Sequence, residues 1–107
     1  MNRIHKNLVG TEIRKQRHRQ GWSQSMLATQ LQTAGLHISR STLAKIECGA
    51  KRVGDLELLY LALALKVSVQ HLFPPIDSKE ALYEFLERLL GSDPATSHRK
   101  AKIRFRV

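Results

Sequence analysis

Apolar residues recur along this chain at helical intervals, and most of the recurring stretches are bracketed by a capping residue and a glycine. Val9, Ile13 and Arg17 fall at i, i+4 and i+8 on one stripe, which predicts a first helix starting near Asn7, a good N-cap. Gly21 ends that helix, and Trp22 supplies the apolar residue that folds back onto a helix end. Ser23 caps a second helix, in which Met26, Leu27 and Leu31 form the buried stripe and Ala28 lets another backbone approach. Its capping box is missing, because Met26 stands where Glu or Gln would reach back. Ser39 caps a third helix, with Leu43 and Ile46 pointing inward and Gly49 as a left-handed stop. Arg40, Ser41, Thr42 and Lys45 are left on its opposite side. Such a face suits a DNA major groove, where Arg and Lys donate to guanine. A solvated helix face has the same make-up, so the neighbouring elements decide its meaning.

Two further stretches carry more apolar surface than one small core needs. The fourth helix, capped by Asp55, has one stripe in Leu58, Leu61, Ala62 and Leu65 and a second in Leu56, Leu59, Tyr60 and Leu63. A helix apolar nearly all round is buried nearly all round, so the far stripe requires a cover. The candidate is the segment 77–90, where Asp77 and Glu80 make a capping-box-like start. Within it Leu82, Phe85, Leu86, Leu89 and Leu90 repeat at i, i+3, i+4, i+7 and i+8 before Gly91. Spacing alone leaves open whether this amphipathic helix completes its own subunit's core or pairs with a second copy. Pro74-Pro75 marks the boundary, since proline cannot continue a helix. The expected organisation is therefore a domain over 1–75, the amphipathic helix over 76–91, and a linker and basic tail over 92–107. In that tail, residues 100–107 alternate basic and apolar with a strand's period. An arm adding phosphate contacts is the favoured reading, with an edge that pairs with another chain, or a plain chain end, as the alternatives.

Charge sharpens this picture. The 107 residues hold 18 Lys and Arg against 9 Asp and Glu, a net +9 that favours a polyanionic partner. That excess is uneven: +7 falls on residues 1–75, −3 on 76–94 and +5 on 95–107, so the chain reads as basic domain, acidic segment and basic tail. Nucleic acid comes before membrane, because no run approaches the length of a spanning segment and the opening residues lack a signal-peptide pattern. Cys48 is the single cysteine and cannot form an internal disulfide, which makes a reducing cytoplasm the default location. His5, His18, His37, His71 and His98 lack ligand spacing, so neither a metal nor a cofactor is expected. Catalysis finds no support either: there is no Ser-His-Asp grouping on suitable turns, no Gly-rich phosphate loop and no pair of carboxylates in an apolar setting.

Taken in order, Ile13-Arg14 with Arg17, Trp22-Ser23-Gln24, Leu27-Ala28, Ile38 to Leu43, Ile46-Glu47-Cys48-Gly49, Leu58 to Val67, Ser68-Val69 and Leu72-Phe73 resemble a known pattern. The chain is similar, over about residues 7–73, to the Cro and phage-repressor type of helix-turn-helix DNA-binding domain. The resemblance implies an all-α, five-helix lambda-repressor-like domain whose third helix enters the major groove while the second crosses the backbone. Carried over position by position, it puts Gln24 on a phosphate, makes Arg40, Ser41 and Lys45 the base readers, and gives Thr42 a base or a phosphate. Lys51 and Arg52 would lie on the backbone, and Arg17 and Glu47 would pair inside the domain. One departure stands out. Between Leu31 and the cap at Ser39 this chain has about five more residues than the pattern, which predicts a second helix extended to about Ala34, a stop at Gly35, and Leu36 and Ile38 buried in the connection. His37 or Gln32 could then face DNA.

The expected function is sequence-specific binding of double-stranded DNA by a transcriptional regulator of bacterial or phage type, a repressor acting as a homodimer on a palindromic operator. The competing binding role is an antitoxin that represses its own operon and holds a protein partner through residues 76–107. RNA binding is the remaining alternative for this fold.

Overall fold

A computed structural model describes residues 5–90 of the chain. These fall into two units, His5–Pro74 and a second whose described part begins at Pro75. The expectations for Gly91, the linker and the basic tail lie outside the described residues.

The first unit is built from four α-helices, α1 (Gly10–Arg19), α2 (Gln24–Ala34), α3 (Arg40–Glu47) and α4 (Asp55–Leu65), followed by one 3-10 turn at Val69–Leu72. There is no strand among the described residues. The expected fifth helix is thus only this short turn, since Pro74 and Pro75 forbid its extension. It nonetheless buries Leu72 completely.

Most caps are where the sequence puts them. Ser23 and Ser39 accept the Met26 and Thr42 amide N–H, each at 3.1 Å. Gly21 and Gly35 end α1 and α2 with positive φ, and Trp22 and Leu36 then return their N–H groups to the carbonyls of Arg17 and Leu31. The second helix does run to Ala34, and Leu36 and Ile38 of the longer connection pack against the core. Two starts in this unit differ. The first helix begins at Gly10, although Asn7 Oδ1 still accepts the N–H groups of Val9 and Gly10. For α4 the cap is Gly54, whose N–H donates to the Glu57 carboxylate at 2.8 Å, so Asp55 opens the helix instead of capping it.

The core gathers Val9, Ile13, Leu27, Leu31, Leu43, Ile46, Leu61, Ala62, Ala64, Leu65 and Leu72. Here α2 packs on α3 and α4, and α1 on α3, α4 and the 3-10 turn. Met26 is a correction: it is 48% exposed, and only Leu27 and Leu31 of the expected stripe are buried. On α4, the near stripe is buried as expected apart from a half-buried Leu58, whereas Leu56, Leu59 and Leu63 are 63%, 56% and 65% exposed. Tyr60, the fourth member of that far stripe, is partly covered by Gly35 of the α2–α3 connection. The longer connection therefore comes up against Tyr60, while the three leucines stay exposed.

In the second unit, α5 spans Lys79–Leu90. Its cap is Ser78, whose hydroxyl accepts the Ala81 N–H at 3.0 Å, in place of the expected Asp77. Leu82, Phe85, Leu86 and Leu90 fall at spacings that put them on one face, and the Arg88 guanidinium lies 6.0 Å from the Phe85 ring centroid.

Candidate nucleic-acid interface

The geometry of α3 is set at both ends. At its start the Ser39 hydroxyl lies 3.0 Å from those of both Ser41 and Thr42 while accepting the Thr42 N–H, so three hydroxyls form one cluster at the helix N-terminus. At its end Gly49 takes a φ of +80°, and Ala50 N–H returns to Lys45 O at 2.8 Å. Leu43 and Ile46 are fully buried between these ends. That seats one face and turns Arg40, Ser41 and Lys45 outward, where all three are exposed, with Thr42 half-buried. The side chains of Arg40 and Lys45 have no hydrogen bond or ion pair among the described residues, so their donors are free for a ligand.

Glu47 is the one acid on this helix, and it is turned inward. Arg17 grips it in a fork, Nε to Oε2 at 2.7 Å and Nη2 to Oε1 at 2.9 Å. The same guanidinium donates through Nη1 to Trp22 O at 2.7 Å, and Nη2 lies 3.2 Å from His18 Nε2. Arg17 therefore ties the end of α1, the approach to α2 and the end of α3 together, with its carboxylate partner only 3% exposed in the side chain. The paired acid adds no net negative charge to the recognition side.

Gln24, on the first turn of α2, donates from Nε2 to Glu47 Oε1 at 3.1 Å. Its carboxamide is thereby fixed beside the end of α3, with one N–H and the carbonyl oxygen left over. Lys51 and Arg52 follow α3 directly; Arg52 is exposed and Lys51 half-buried, with its Nζ 3.5 Å from Arg52 O. Gln32, in the last turns of α2, and His37, in the longer connection, are both exposed and lie outside α3. Among the described residues no cluster of His, Cys, Asp or Glu could hold a metal ion, and no helix is long and apolar enough to cross a membrane.

Sequence reasoning did not foresee the segment in front of α1. Asn7 Nδ2 donates to Ile46 O at 3.0 Å and Lys51 O at 2.7 Å, and Lys6 N–H to Gly49 O at 2.8 Å. Only the capping half of Asn7 has a sequence signal; its partners some 40 residues away have none.

A capped helix crossing to a second that buries two apolar residues and offers Arg, Ser and Lys outward is the arrangement that helix-turn-helix proteins place against DNA. A family model described as helix-turn-helix matches residues 13–72. The chain belongs to this family. It is a DNA-binding transcription regulator of the Cro and phage-repressor type, all-helical over the described residues. Among solved structures, this helix-turn-helix protein is similar to the restriction-modification controller protein C.AhdI from Aeromonas hydrophila. The two share 32% identity with a TM-score of 0.54, over 62% of this chain and 96% of that one. No curated protein matches the chain.

Proposed function

We propose that this helix-turn-helix protein is a sequence-specific repressor that binds a palindromic operator as a homodimer. The observation that carries the reading is the outer face of α3, where Arg40, Ser41 and Lys45 stand exposed on a helix held rigidly from behind. Arg40 and Lys45 read guanine edges from the major groove, and Ser41 and Thr42 donate to bases or phosphate near the helix start. Gln24, Lys51 and Arg52 hold the phosphate backbone, which fixes register without reading sequence. A single helix reads only a few base pairs, so specificity requires a second half-site about 34–36 Å away and a second subunit to occupy it. Exposed Leu56, Leu59 and Leu63 on α4 and the apolar stripe of α5 are the surfaces suited to that pairing. Likeness to a restriction-modification controller supports a regulatory protein acting in the cytoplasm on duplex DNA.

Selection of bound sequences from a random duplex pool tests this. A consensus of two inverted half-sites is the expected result. Recovery of no consensus, or of RNA in preference to duplex of the same sequence at fixed salt, would remove the reading.

A further inference from the structure

Asn7 precedes the first helix, and a capping role would account for only half of its bonds. Its Oδ1 accepts Val9 N–H at 3.1 Å and Gly10 N–H at 2.8 Å, while its Nδ2 donates to Ile46 O at 3.0 Å and Lys51 O at 2.7 Å. Both hydrogens and both acceptor sites of the amide are thus engaged, which fixes its orientation: a flipped amide would set donors against donors. Ser or Asp would cap the helix as well as Asn does, so the cap alone does not call for an amide. What calls for it is the pair of carbonyls on the other side, one in the last turn of α3 and one in the loop that follows.

Two neighbouring features press the same segment onto the same place. Lys6 N–H donates to Gly49 O at 2.8 Å, and Gly10 lies so close to α3 that a Cβ there would overlap the Ile46 carbonyl oxygen. The stretch over 46–51 is therefore gripped from the α1 side by three main-chain or amide bonds, one to the last turn of α3 and two to the turn that follows. Lys51 and Arg52 rise from the gripped backbone.

We propose that Asn7 is a positioning residue for DNA binding, a clamp that sets the Lys51-Arg52 loop against the end of the recognition helix so that its phosphate contact forms without ordering the loop. This rests on the DNA-binding reading given above. A cation on a fixed stem loses less conformational freedom on contact than one on a free loop, so the clamp acts through Lys51 without touching DNA itself.

The test is binding by fluorescence anisotropy to a duplex selected by the wild-type protein, with salt varied from about 50 to about 200 mM. Asn7→Ser keeps a capping hydroxyl and the net charge but removes both donors. We expect Asn7→Ser to retain its helical circular dichroism and to flatten the log–log salt dependence by about one unit, as Lys51→Ala does. Adding Lys51→Ala to N7S should then change little. An unchanged salt slope in a folded N7S protein, with Lys51→Ala as harmful in N7S as in wild type, would overturn the clamp. Asn7→Thr repeats the measurement if N7S does not fold, and failure of both to fold would leave Asn7 as a fold residue only and equally overturn it. A wild type with no salt-dependent duplex binding would instead sink the DNA-binding reading and the clamp with it.

Discussion

Arg17 and Glu47 are the residues on which the recognition side most depends, and their energetics follow from burial. Charges this enclosed are stable only as a pair: a lone partner would be left without the interactions that offset its desolvation. Either Arg17→Ala or Glu47→Ala should destabilise the protein by about 3 kcal/mol, with the double replacement costing less than the sum. Denaturant melts of the four proteins measure this, and strictly additive losses would contradict the fork. At the exposed face the expectation has a different form. On the proposed reading that Arg40 contacts a base and not a phosphate, Arg40→Ala should cost about 1–3 kcal/mol on the selected site and relax preference at one base pair. Equal losses on selected and random duplexes would reassign Arg40 to the backbone. The Arg17–Glu47 pair was legible through family resemblance, and the outward Arg40, Ser41 and Lys45 through helical spacing. The Gln24 bond to Glu47 was not, since a glutamine on a first turn signals an anion as readily as a neighbouring carboxylate.

Elements were readable where a local signal fixes them. Ser23, Gly35, Ser39 and Gly49 each act within one turn of their own position, and the ends they define stand where spacing puts them. Errors fell where the decision is made at a distance or by one residue of phase. Met26 neighbours the true stripe residue Leu27, and only packing against α3 and α4 decides which of two adjacent positions turns inward. The start of α1 lies at Gly10, where close contact with α3 leaves no room for a side chain, and no periodicity records that contact. Gly10→Ala should accordingly destabilise the protein by about 1–3 kcal/mol, despite alanine's better helix propensity, since the obstacle is backbone that cannot step aside. A thermal melt equal to or above wild type would show that α1 and α3 can separate at no cost.

For the whole molecule, surplus apolar surface sits on α4, where Leu56, Leu59 and Leu63 are exposed. Leu59→Glu puts a carboxylate in the middle of the three exposed leucines without disturbing the core, so the fold should survive while self-association weakens. Sedimentation of wild type and variant, with circular dichroism as a control, reads this; a wild type that stays monomeric at high concentration would place no dimer contact there. The brevity of α3 has a consequence of its own. Eight residues make barely two turns, far below the length at which a helix persists alone in water, so this one exists only while its neighbours hold it. Unfolding and loss of DNA reading are then a single equilibrium, and operator DNA acts as a folding ligand: at about a hundred times its dissociation constant it would add about 2.7 kcal/mol of stability. Chains seated on an operator would outlast free ones against proteolysis, which ties the lifetime of this regulator in a cell to how many of its sites are filled.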